Sequence, residues 1–76
     1  MALGQIVAEN LRAVRTSKKL SQEAVAVKAH LSVSYISMLE RGERTPPLDT
    51  LEALAKALAV PALELLQEGR KGRGRP

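Results

Sequence analysis

The sequence has no cysteine, tryptophan or phenylalanine, and Tyr35 is its only aromatic side chain. Without cysteine there is neither a disulfide framework nor a thiolate metal site, and an intracellular reducing compartment is the natural setting. Without bulky aromatics a core has to be assembled from Leu, Val, Ile and Ala, a composition that suits packed helices better than sheet. Nowhere do about 18 apolar residues run uninterrupted, so no transmembrane helix is expected. The stretch from Met1 to Leu11 carries Glu9 and lacks the apolar centre of a secretory signal. These absences together point to a cytoplasmic protein. With 76 residues, the chain can build one compact core and not two.

What is present is charge, unevenly placed. The net charge is +4, from 12 basic and 8 acidic side chains. Arg70, Lys71, Arg73 and Arg75 account for the whole surplus, so residues 1–69 are neutral overall. Within that body, residues 12–44 carry seven basic groups against Glu23, Glu40 and Glu43, whereas residues 45–69 carry Lys56 against Asp49, Glu52, Glu64 and Glu68. Such a dipolar layout turns one half of the molecule toward a polyanion.

The apolar residues recur at helical spacing. Leu3, Val7, Leu11 and Val14 form one stripe of a first helix that runs to about Thr16, and the chain turns through Ser17, Lys18 and Lys19. Ser21 is placed to cap a second helix, Gln22 to Ala29, which faces Val25, Ala26 and Ala29 inward. After His30 and Leu31, Ser32 caps a third helix, Val33 to Arg41, burying Ile36 and Leu39 and ending at Gly42. Pro46 and Pro47 interrupt the helical pattern. Leu51, Leu54, Ala55 and Leu58 then define a fourth helix up to Val60, and Pro61 opens a short fifth helix holding Leu63, Leu65 and Leu66. The expected architecture is all-α, with five helices over residues 1–69 and a disordered basic tail over residues 70–76.

Two short helices joined by a brief turn make a generic helix-turn-helix. The run LSQEAVAVKAHLSVSYISMLERGERTPPLDTLEALAKALAV, Leu20 to Val60, with LRAVR from Leu11 to Arg15 upstream, goes further. It resembles the phage-repressor and Cro-type (XRE) family of DNA-binding domains. The resemblance implies a lambda-repressor-like fold, double-stranded DNA as partner, and a third helix lying in the major groove of a palindromic operator. Val33, Ser34, Ser37 and Met38 then face base edges, because Ile36 and Leu39 point inward. These short side chains offer single hydroxyl contacts and a methyl contact, not the two-pronged recognition of Arg on guanine, so DNA shape is expected to contribute much of the discrimination.

The same resemblance assigns phosphate contacts to Gln22 and Arg44, and Lys19, Ser32, Tyr35 and Arg41, flanking the groove, are further phosphate-contact candidates. It pairs Arg15 with Glu40 as a structural ion pair between the first and third helices. Where the family has Gly or Asn in the turn, this chain has His30, which tolerates a left-handed conformation better than most residues. In the tail, Arg73, Gly74, Arg75 and Pro76 match the core of an AT-hook, in which two arginines enter a narrow A·T-rich minor groove. Nonspecific attraction of the tail to phosphates is the alternative. Members of the family commonly dimerise through the fifth helix, so Leu63, Leu65 and Leu66 are candidates for a homodimer contact. Closing the monomer core is their other use.

No cofactor, metal or small-molecule ligand is expected: His30 has no second histidine or cysteine to share a metal, and no inducer-binding domain follows residue 69. There is no nucleophile-base pair, carboxylate cluster or glycine-rich phosphate loop that would serve an enzyme. The leading reading is a sequence-specific transcriptional regulator. The second is a protein-interaction module on the same fold, as in antitoxins and coactivators of the family.

Overall fold

A computed structural model describes residues 3–68. Four α-helices follow one another: α1 (Leu3–Ser17), α2 (Gln22–Ala29), α3 (Val33–Glu40) and α4 (Leu48–Leu58), with a 3₁₀ helix, Ala62–Leu65, after them. No strand occurs among the described residues. The tail assigned to residues 70–76, with Arg73 and Arg75, lies outside them.

Helices of eight residues such as α2 and α3 do not persist alone, so mutual packing has to hold them. α2 packs on both α3 and α4, α1 packs on α3, and the 3₁₀ helix closes against α1 and α4. The shared core is entirely aliphatic, with Leu11, Ile36, Leu39, Leu54 and Leu65 fully buried at its centre. Every inward-facing residue expected on α2, α3 and α4 is buried. On α1 the stripe holds for Val7, Leu11 and Val14 but not for Leu3, which is the first residue of the helix and is exposed.

The fifth element is a 3₁₀ turn and not an α-helix. Pro61 supplies no amide, and only i to i+3 bonds follow, from Glu64 N–H to the Pro61 carbonyl (3.0 Å) and from Leu66 N–H to the Leu63 carbonyl (2.9 Å). The carbonyls of Leu65 and Gln67 turn instead to the side-chain amide of Asn10, each at 2.9 Å. This geometry divides the three leucines assigned to a dimer contact. Leu65 is fully buried and belongs to the monomer core, Leu66 is partly buried against it, and Leu63 is 65% exposed. A residue with no accessible surface cannot face a second copy, so Leu65 is removed from the candidate contact.

All four α-helices end in the same way: one residue enters the left-handed region and the next amide reaches back five residues. The positions are Lys19 (φ 59°), His30 (60°), Gly42 (75°) and Ala59 (59°). The returning amides are those of Leu20, Leu31, Glu43 and Val60, at 2.9 to 3.1 Å from the carbonyls of Arg15, Ala26, Met38 and Ala55. Only one of the four is glycine, and His30 adopts the conformation that its place in the turn required. Ala59 is exposed, and its Cβ is a burden in this conformation. We expect Ala59→Gly to raise stability by about 0.5–1 kcal/mol. Thermal denaturation checks this, and a lowered Tm contradicts it.

Candidate nucleic-acid interface

The helix-turn-helix is built by two serine caps and one histidine turn. Ser21 Oγ accepts the Ala24 N–H at 2.9 Å and Ser32 Oγ accepts the Tyr35 N–H at 3.1 Å, so each hydroxyl starts a helix by satisfying an orphan amide. Between them His30, with φ 60° and ψ 43°, reverses the chain. The angle between α2 and α3 is then held by the packing of Val25, Ala26, Ile36 and Leu39 into the common core.

Burying Ile36 and Leu39 leaves the opposite side of α3 open. Val33 and Ser34 are exposed, Ser37 and Met38 partly so, and together with Gln22 and Arg41 they line one shallow depression. The four residues expected at base edges are thus brought together, beside the first turn of α2. Lys19 lies exposed in the α1–α2 turn, and Tyr35 packs part of its ring against the core. Arg44 is exposed in the loop after α3 and forms no ion pair among the described residues.

Arg15 and Glu40 meet in a two-pronged pair. Nε of Arg15 donates to Oε2 of Glu40 at 2.6 Å and its second fork nitrogen donates to Oε1 at 3.0 Å, with side-chain exposures of 13% and 5%. The remaining guanidinium nitrogen donates to the Leu20 carbonyl at 2.8 Å. Glu40 Oε1 also accepts Nε2 of Gln22 at 3.0 Å. The side chain read from sequence as a phosphate contact therefore has an internal task as well: it links the start of α2 to the end of α3 and to α1. Charge-assisted bonds of this kind fix geometry well, and here they fix the orientation of the open face.

A second ion pair lies at the rim. Arg41 Nε donates to Glu43 Oε2 at 2.8 Å, a fork nitrogen donates to Oε1 at 3.2 Å, and the other donates to Ser37 Oγ at 2.6 Å. Hydrogen bonding from Arg41 holds the Glu43 carboxyl below its ordinary range, and the same contact raises Arg41. Both partners are charged at neutral pH, and the pairing is lost as the pH falls through the depressed value of Glu43.

The reading from sequence missed Asn10. Its amide is buried and ties α1 to the carbonyls of Leu65 and Gln67. A signal existed, since Asn10 lies three residues after Val7 and four before Val14, on the buried stripe. Among the described residues there is no cluster of three or more metal-ligating side chains, and no helix is long and apolar enough to cross a membrane.

Comparison with known proteins places this geometry. Residues 11–65 match the helix-turn-helix family. The chain is 45% identical over 73 residues to the control protein C.SmaI of Serratia marcescens, covering 93% of this chain and 86% of that protein. It is 41% identical over 66 residues to an HTH-type transcriptional regulator, y4dJ, of Sinorhizobium fredii, covering 87% and 86%. Among solved structures, the restriction-modification controller protein C.AhdI of Aeromonas hydrophila superposes with a TM-score of 0.79 at 39% identity, over 82% of this chain and 94% of that one. The chain therefore belongs to the helix-turn-helix family of DNA-binding transcriptional regulators, in its phage-repressor and Cro-type (XRE) branch.

Proposed function

We propose that the chain acts in the cytoplasm as a homodimer on a twofold-symmetric operator, with α3 of each copy in a major groove. The observation that carries this reading is the open face of α3: Val33, Ser34, Ser37 and Met38 gathered beside Gln22 and Arg41, on a helix whose other side is locked into the core. Val33 offers a methyl surface to thymine, and the serines offer a hydroxyl to either edge of a base pair. Side chains this short cannot supply most of the affinity. Lys19, Ser32, Tyr35 and Arg44 around the groove, with Gln22 at the α2 N-terminus, contribute the phosphate contacts that hold the protein in register. Ser32 Oγ already serves as a cap acceptor, so what it gives a phosphate is its hydroxyl proton. Leu63 and the partly buried Leu66 supply the apolar surface for the second copy, and twofold symmetry then sets the two α3 helices about 34 Å apart.

Selection of binding sites from random duplexes by the full chain, at stated salt, tests the reading. The expected result is an enriched palindrome whose half-sites are centred about one helical turn apart, and whose binding is lost when Ser34 and Ser37 are replaced by bulkier residues. Recovery of no enriched sequence contradicts it and favours a protein-interaction module.

A further inference from the structure

The rim pair between Arg41 and Glu43 is built in, not incidental. Gly42, at φ 75°, turns the chain back on the end of α3, and the Glu43 N–H donates to the Met38 carbonyl at 3.0 Å. The backbone of Glu43 is thereby fixed by the helix cap itself. From that anchor its carboxylate presents both oxygens to the Arg41 guanidinium, at 2.8 and 3.2 Å, while the third donor of Arg41 closes on Ser37 Oγ. A carboxylate held in this two-pronged manner offers the guanidinium the same kind of acceptor pair as a DNA phosphate. Arg41 and Ser37 are both on the depression assigned to DNA, and both are engaged before any DNA arrives.

We propose that Glu43 is a specificity-determining residue whose carboxylate occupies the Arg41 fork in place of a phosphate, so that Arg41 and Ser37 are released together only onto a duplex that displaces it. The proposal rests on the reading that α3 enters the major groove. The pair is open to solvent, with side-chain exposures of 55% and 51%, and exposed pairs hold weakly. A phosphate can therefore take the fork. Once displaced, Glu43 remains tethered next to the phosphates as a like charge, which weakens every complex. Nonspecific complexes consist almost wholly of phosphate contacts, so they lose most. On the correct site the swing of the Arg41 guanidinium onto a phosphate also frees Ser37 Oγ to accept from a base-edge N–H, and that contact offsets the loss. Glu43 thus lowers background binding more than operator binding, without touching a base.

The test measures the affinity of the full chain for a mixed-sequence duplex and for the duplex enriched by selection, each over a range of salt. Glu43→Gln removes the charge and keeps the size. It is expected to tighten binding to the mixed-sequence duplex by roughly three- to tenfold and to steepen its salt slope by about one, as Arg41 then neutralises a phosphate without an opposing carboxylate. The gain on the enriched duplex is expected to be smaller, so the ratio of specific to nonspecific affinity falls. In an Arg41→Ala background the effect of Glu43→Gln should shrink to less than about twofold, because Glu43 acts through Arg41. Equal gains with and without Arg41 would mean a plain change in net charge and would overturn the proposal, as would an unchanged specificity ratio. If the unaltered chain binds neither duplex, the DNA reading falls and this proposal with it. If the unaltered chain binds and Glu43→Gln changes nothing, the proposal alone falls.

Discussion

Replacing Glu40 with alanine is expected to lower folding stability by about 3–5 kcal/mol, which for a domain of this size means a fall in Tm of at least about 12 °C. The size of the effect comes from what is left behind. Arg15, with only 13% of its side chain exposed, keeps its bond to the Leu20 carbonyl but loses both carboxylate contacts, and Gln22 loses the acceptor for its amide. An unpaired guanidinium in that position costs far more than the pair contributes when intact, since desolvation is repaid only by matched charge. A domain of this length has a total stability of roughly 4–11 kcal/mol, so the variant stands close to unfolding at physiological temperature. A companion double variant, Arg15→Met with Glu40→Leu, isolates the cause: with both charges gone, most of the stability should return, while the tie between α1, α2 and α3 is still missing. Chemical denaturation of the three proteins measures this. A loss below about 1 kcal/mol for Glu40→Ala would show that the pair does not hold these helices together.

The second large effect is expected at Asn10. In Asn10→Ala the carbonyls of Leu65 and Gln67 lose their donor, and a small void opens where the amide stood beside the core. The buried Leu65 carbonyl left without a partner costs about 1–3 kcal/mol and the part-buried Gln67 carbonyl less, so with the void the combined loss should be about 2–4 kcal/mol. Asn10→Asp is a stricter probe. It preserves shape, but an ionised carboxylate has no proton to give and meets two carbonyl oxygens, so it should destabilise at least as much at neutral pH. The damage should also be local. Leu66 N–H is held by the Leu63 carbonyl within the 3₁₀ turn, and its hydrogen exchange should accelerate more than that of amides in the middle of α3. Uniform acceleration across the chain would show that Asn10 supports the whole core and not specifically the C-terminal segment. Because the exposed Leu63 and the partly buried Leu66 belong to that segment, the same variant should also weaken the proposed homodimer, which sedimentation would detect.

Much of the fold was legible residue by residue. Val25, Ala26 and Ala29 on α2, Ile36 and Leu39 on α3, and the leucines of α4 announced their buried faces by spacing alone, since a helix brings residues three and four apart onto one side. Ser21 and Ser32 marked two helix starts because capping needs only a short hydroxyl and the next three residues. Gly42 and His30 marked turns for an equally local reason, the backbone conformation that each can adopt. The open face of α3 followed by subtraction once its buried face was known. The Arg15–Glu40 contact was also anticipated, but from family resemblance and not from spacing, because 25 residues separate its partners.

Four features escaped that reading, and three of them share one cause. Leu65 is sealed in the core while Leu63, two residues earlier, stands out from it, because the turn is 3₁₀ and not α. That turn is shaped by Asn10, 55 and 57 residues away from the carbonyls it holds. Gln22 spends its amide on Glu40, 18 residues on, and Glu43 folds back onto Arg41 only because α3 ends where it does. Helix periods, caps and turns are properties of consecutive residues, so the chain specifies them wherever it goes. Which polar group satisfies which across the core depends on how the helices cross, and that is set by the packing of aliphatic side chains drawn from every helix at once.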